Sequence, residues 1–269
     1  MLLLVLWAPY ATQRAPLQAG WTVSAACSML CLMTEPSRTV YVYRWIVFGL
    51  AAAYAVRMVL VGPYDGAGGP FRYLTIWALF CSFFAASRMI ALCEGRTTRR
   101  WDGFVGMTAV LNGMVVYLYW SMFLADPSSV TRDGELAQWW LEYYLHGLGP
   151  VLQWIDALFI HRAFRRPLSS AAWLAGIVLL YVAWAEFGQR LLNDSPSGTV
   201  TSGLPYRFLN SLEPADRAAF YAGNLAAAWG LLAGFWLLAW IIRRSLRPEA
   251  ARPARSGNRD RSGEPPTRP

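Results

Sequence analysis

The sequence predicts an all-α protein: a multi-pass transmembrane bundle of about six helices with both termini on the cytoplasmic side. Three observations carry this reading. The 269 residues are 56% hydrophobic and only 15% charged, with a mean hydropathy of +0.30; a soluble domain usually carries about 25% charge. Six stretches are apolar over about 20 residues, the length that crosses about 30 Å of hydrocarbon. The loops between them alternate between arginine-rich and arginine-poor, as cytoplasmic and external loops do.

The spans fall at Val40–Val61, Phe71–Leu92, Phe104–Leu124, Leu136–Ile160, Leu168–Phe187 and Ala218–Ile242. The third and sixth have no charge. The first carries Arg44 and Arg57, and the second ends on Arg88; each reads as an arginine near a span end, snorkelling to the interface. The 93–103 connection holds Arg96, Arg99 and Arg100, and the 161–167 connection holds Arg162, Arg165 and Arg166. The 62–70, 125–135 and 188–217 loops have no such excess. Basic loops lie inside, and an even number of spans then puts both ends in the cytoplasm.

The domain reading is threefold. Residues 1–39 fit the pattern poorly: Met1–Trp7 lacks a basic start, and Trp21–Met33 is too short to span. They read as an N-terminal extension of the gene model, with translation starting near Met33. Residues 40–242 form the membrane domain. Residues 243–269 hold eight Arg against Glu249, Asp260 and Glu264 and read as a disordered basic cytoplasmic tail that contacts the lipid surface. Without aromatics or a fold motif, the tail does not read as a nucleic-acid partner.

Composition also removes chemistries. All 24 basic residues are Arg, so a lysine Schiff base and a P-loop are excluded. Arg without Lys fits a GC-rich, bacterial genome. The cysteines form no CxxC and the chain has two histidines, so neither a metal centre nor a cofactor is expected.

Ionisable and hydroxyl groups at membrane depth are costly and mark packing or function. The fourth span is richest in them, reading Trp139-Trp140-Leu141-Glu142-Tyr143-Tyr144-Leu145-His146-Gly147-Leu148-Gly149-Pro150, then Gln153 and Asp156. Trp139 and Trp140 stand where an aromatic belt belongs. Glu142 is one turn before His146, on the same face. Pro150 has no N–H, so the His146 carbonyl loses its helical partner and a kink follows. Gly147 and Gly149 leave room for a close neighbour. Taken alone, His146 is a packing residue at a kink or a proton-handling group. Thr75, about 6 Å into the second span, would by itself bond back to its own helix. Both spans enter from the outer face, so Thr75 and His146 sit at similar depth and can meet as nucleophile and general base. Asp156 lies about 15 Å further along the axis than His146, too far to be its partner. Asn112, Glu186 and Asn224 read as glue between helices, and His161, among arginines, as a solvated interfacial residue.

These residues also carry a family resemblance. Tyr73-Leu74-Thr75 after Arg72 resembles the threonine motif of the androgen-induced and androgen-dependent TFPI-regulating protein family. His146 with Pro150 and Asp156 resembles that family's histidine helix. A third likeness is the outer loop Leu204-Pro205-Tyr206-Arg207-Phe208-Leu209-Asn210, followed by Pro214, Arg217 and Phe220-Tyr221-Ala222-Gly223. The resemblance covers about residues 40–242. It implies an integral cell-membrane hydrolase of fatty acyl esters with Thr75 as nucleophile and His146 as base; animal members cleave fatty acid esters of hydroxy fatty acids. Glu142, Arg72 and Tyr144 are candidate support: Glu142 to orient the imidazole, Arg72 to meet a substrate carboxylate, Tyr144 to stabilise an oxyanion. The competing readings are a non-enzymatic lipid-binding or transport protein, and an acyltransferase using the same pair.

The loop charges make a direct prediction. In a background with its native cysteines replaced, a cysteine at Ser128 should react with a membrane-impermeant maleimide in intact cells, and one at Thr97 should react only after lysis. The reverse pattern would invert the topology.

Overall fold

The computed structural model describes residues 37–127, 130 and 138–245. The readings of the N-terminal extension, the basic tail and most of the 125–135 loop lie outside the described residues. Within them the chain is helical, with a single isolated bridge between Ser197 and Ser202.

Among the described residues, five helices are long and apolar enough to cross a membrane: α1 (Arg38–Val61), α2 (Leu74–Cys93), α3 (Asp102–Ala125), α5 (Pro167–Leu192) and α6 (Pro214–Ser245). The fourth expected span differs from these. Residues 139–160 form α4 in segments: Trp139–Tyr143 and Gly149–Ile155 are α-helical, while Tyr144–Leu148 and Asp156–Ile160 are π-helical turns. The second span starts later than expected. Gly69–Arg72 makes its own 3-10 turn, entered through Gly68 at φ 79°, and Tyr73 is extended.

Helix α3 is the centre of the bundle. Every residue from Gly103 to Val115 is buried, and α2, α4, α5 and α6 pack around it. The absence of charge after Asp102 in this helix permits that, and its glycines bring a neighbour close. A Cβ on Gly103 would lie 2.1 Å from Ser169 Oγ, and one on Gly106 2.5 Å from Ser170 Oγ. The two glycines let α5 approach at backbone distance, where dispersion drives association in place of the hydrophobic effect. Helix α1 packs along α2 and touches α4.

Several polar expectations are corrected by this packing. Arg44 does not snorkel; it is 5% exposed. Its guanidinium makes a two-pronged bond to Asp156, with Nε to Oδ2 at 3.0 Å and Nη2 to Oδ1 at 2.8 Å. It also reaches Cys93 Sγ at 2.9 Å. Inside an apolar bundle, a planar fork against a carboxylate removes both charges from hydrocarbon at once. His161 is not solvated: it is buried, with Nε2 2.8 Å from Asp102 Oδ1. Arg100 bonds the His161 carbonyl at 2.8 Å, so the 94–101 and 161–166 connections are tied at one end of the bundle. Asn224 bonds back to Phe220 O in its own helix and is not glue. Asn112 and Glu186 do bridge helices, to Ser82 Oγ at 2.9 Å and to Arg217 Nε and Tyr221 Oη at 3.0 Å each.

The Arg44–Asp156 pair can be tested by a thermal-melt cycle. Arg44→Met or Asp156→Leu alone leaves an unpaired buried charge and should destabilise by about 3–5 kcal/mol. The double variant should regain most of the loss; additive losses would show that the pair is not the coupling unit.

Candidate active site

The end of the bundle that carries the 62–73 and 193–213 connections encloses a cavity of about 510 Å³, within the usual 300–1,000 Å³ of small-molecule sites. Its walls come from α2, α3, α4 and both connections, and include Thr75, Glu142 and His146.

Thr75 is the second residue of α2, in the first turn, where peptide N–H groups lack intrahelical acceptors and the helix dipole is positive. Its hydroxyl does not turn back to its own helix. Thr75 Oγ1 is 3.3 Å from His146 Nε2, a long hydrogen bond of the kind common before substrate binds.

His146 reaches that position through the break in α4. Pro150 supplies no N–H to the His146 carbonyl, and the backbone at His146 leaves helical values, at φ −111° and ψ 15°. The freed carbonyl accepts instead from Trp120 Nε1 on α3 at 2.8 Å, and the Gly149 N–H closes a π turn on Tyr144 O. Gly149 is the tight position here, since a Cβ on it would lie 3.0 Å from Tyr144 O; Gly147 meets nothing. On the other side of the imidazole, Glu142 Oε2 lies 3.1 Å from Nδ1. The contact lies off the donor direction of Nδ1, which has no aligned hydrogen bond. Glu142 therefore acts on the ring as a nearby charge. Tyr119 of α3 stacks flat on the imidazole, with ring centroids 3.5 Å apart and planes within 4°.

The other two candidates are placed differently from each other. Arg72 lines the cavity and is buried; it pairs with Asp65, and its carbonyl accepts from Tyr181 Oη at 2.9 Å. Tyr144 faces away from the large cavity. Its ring stacks on Tyr54 at 3.7 Å and lines a small space beneath Thr75 beside Ser82, Asn112 and Gln153.

The 193–213 connection covers the site. Asn210 is fully buried, accepting from the Leu204 N–H at 3.0 Å and donating to the carbonyls of Leu204 at 3.1 Å and Tyr206 at 3.2 Å. Gly203, at φ +92°, passes so close that a Cβ would lie 2.0 Å from Asn193 O. This knot holds Pro205, Tyr206 and Arg207 on the cavity wall. Asp65, Tyr119 and Trp120 were not singled out from sequence, and Arg207 entered only within the third motif of the resemblance. The run Tyr117-Leu118-Tyr119-Trp120 carries the only local signal, and at a span end such aromatics look like an interfacial belt.

The fold and site define a multi-pass helical membrane protein with a hydroxyl–imidazole pair in a cavity at one end of the bundle. Its family can also be stated: the chain belongs to the FAR-17a/AIG1-like protein family, which it matches over residues 39–239, as the sequence resemblance implied. No curated protein and no solved structure matches it.

The bond from Trp120 is testable by stability. Trp120→Phe leaves the His146 carbonyl unpaired and should cost about 1–3 kcal/mol. Adding Pro150→Ala returns an N–H one turn downstream and should recover part of that. A Trp120→Phe melt equal to wild type would show that another group satisfies the carbonyl.

Proposed function

We propose that the chain is an integral-membrane hydrolase of lipid (fatty acyl) esters, working at the cell membrane with Thr75 as nucleophile and His146 as base. The observation that carries this is the 3.3 Å approach of Thr75 Oγ1 to His146 Nε2 within the cavity. A buried imidazole aimed at a hydroxyl, with a carboxylate on its far nitrogen, is the arrangement that activates weak oxygen nucleophiles.

The chemistry follows from the geometry. With its proton on Nδ1, beside Glu142, His146 accepts the Thr75 hydroxyl proton at Nε2 while Oγ1 attacks the ester carbonyl carbon. Collapse of the tetrahedral intermediate breaks the bond to the alcohol oxygen, which takes the proton from Nε2 and leaves as the alcohol. Water then gives a proton to Nε2 and adds to the acyl-threonine carbonyl. The bond to Oγ1 breaks, Oγ1 recovers its proton, and the fatty acid is released. The oxyanion forms beside the positive end of α2, whose first-turn N–H groups are better placed to meet it than Tyr144. Leu118, Met122, Leu141 and Leu145 on the cavity wall suit an acyl chain. An alcohol in place of water in the second half would make the same pair an acyltransferase.

Purified protein in proteoliposomes, assayed with a fatty acyl ester, tests the reading. Thr75→Ala and His146→Ala should each lower turnover by at least about 10³-fold with insertion intact, in line with loss of a nucleophile or its base. Thr75→Ser should retain activity, and Glu142→Gln should fall in between. His161→Ala should melt earlier, because Asp102 loses its partner, yet turn over normally per folded molecule. Wild-type turnover in Thr75→Ala would favour the non-enzymatic lipid-binding or transport reading.

A further inference from the structure

The stack of Tyr119 on His146 has an unusual geometry for two neutral rings. The centroids are 3.5 Å apart and the planes only 4° from parallel, so the rings lie face to face with almost no offset. Neutral aromatic pairs avoid this sandwich, because the negative faces of both π systems meet; they prefer offset or edge-on contacts. Edge-on contacts nearby follow that preference, including Tyr119 on Trp120 at 88° and Trp77 on Tyr181 at 79°, while Tyr54 on Tyr144, at 3.7 Å and 4°, is a second face-to-face pair; of these two flat pairs only the one on His146 contains a ring that takes up a proton in the reaction. The sandwich becomes favourable when one ring is a cation, since the phenol face then meets positive charge. Tyr119 is 8% exposed and lines the cavity, and its hydroxyl lies beside the Glu142 carboxylate without an aligned hydrogen bond to it.

We infer that Tyr119 is the positioning residue of the Thr75–His146 pair: its ring fixes the imidazole plane so that Nε2 faces Thr75, and its π face stabilises the imidazolium formed when Nε2 takes the threonine proton. The interaction is stronger in the charged state than in the resting one, which is the condition for a contact to lower a barrier rather than tighten binding. Glu142 supplies the matching negative charge from the ring edge, so the imidazolium is met by a carboxylate at Nδ1 and by a π cloud on one face. This inference rests on the hydrolase reading for its charge-stabilising part; the positioning part stands on geometry alone.

Two measurements on full-length protein in proteoliposomes test it. The first is steady-state hydrolysis of a fatty acyl ester by Tyr119→Phe, Tyr119→Leu and Tyr119→Met. Tyr119→Phe keeps the π face and should retain kcat within about threefold, whereas Leu and Met should lower kcat about 5–30-fold with KM unchanged. The second needs no turnover: carbethoxylation of His146 by diethyl pyrocarbonate, followed by peptide mass spectrometry. Uncovering the ring face should speed modification of His146 several-fold in the Leu and Met variants but not in Phe, with His161 as the internal control. Wild-type kcat in a folded Leu or Met variant overturns the charge-stabilising role. Unchanged carbethoxylation overturns the positioning role. A wild-type protein that hydrolyses no ester overturns the hydrolase reading and the charge role with it, and a Tyr119-dependent carbethoxylation rate would still support the positioning role.

Discussion

The hydrogen bond from Trp120 to the carbonyl of His146 is the contact on which the site depends. A proline four residues after His146 removes that carbonyl's helical partner, and an unsatisfied carbonyl in a bilayer core costs several kcal/mol. The indole of α3 supplies the donor at 2.8 Å. Because Tyr119 is the adjacent residue on α3, the same stretch of helix that satisfies the backbone of His146 also covers its ring. The break in α4 and the docking of α3 are thus one event. The imidazole is released from helical geometry and held by a neighbouring helix, facing the first turn of α2.

The charges show a parallel economy. In a bundle with little charge, the buried ionic groups are matched across helices, Arg44 with Asp156 and Arg217 with Glu186. Both pairs lie apart from the large cavity, and each joins segments distant in sequence. Within the cavity, Arg72 is tied to Asp65 from the preceding connection. The Glu142 carboxylate lies beside both the His146 imidazole and the Tyr119 hydroxyl.

Much of this was legible in the sequence, for physical reasons. Apolar runs of about 20 residues report the spans directly, because lipid tolerates little else. Depth is legible too, since a helix rises a fixed distance per residue, and it put Thr75 and His146 at one level. Pro150 announced the break. Lateral neighbours were not legible. A helix presents the same apolar exterior to lipid and to protein, so nothing in the sequence distinguished Arg44 at an interface from Arg44 inside the bundle, or His161 among solvated arginines from His161 against Asp102. Tyr119 and Trp120 were hidden for the same reason: aromatics at a span end satisfy an interfacial role so well that a second role leaves no trace in composition. Tyr144, the first residue of the π turn, was turned toward Tyr54, which no periodicity rule anticipates.

The central claim is that a lipid ester acylates Thr75. The most direct measurement is a rapid-quench reaction with a p-nitrophenyl fatty acyl ester, followed by peptide mass spectrometry of the protein. The account predicts a burst of about one p-nitrophenol per protein molecule and a single acyl group on Thr75 that disappears on standing in water. Sustained hydrolysis with no burst and no acyl group on Thr75, or an acyl group carried by a different residue, would contradict it.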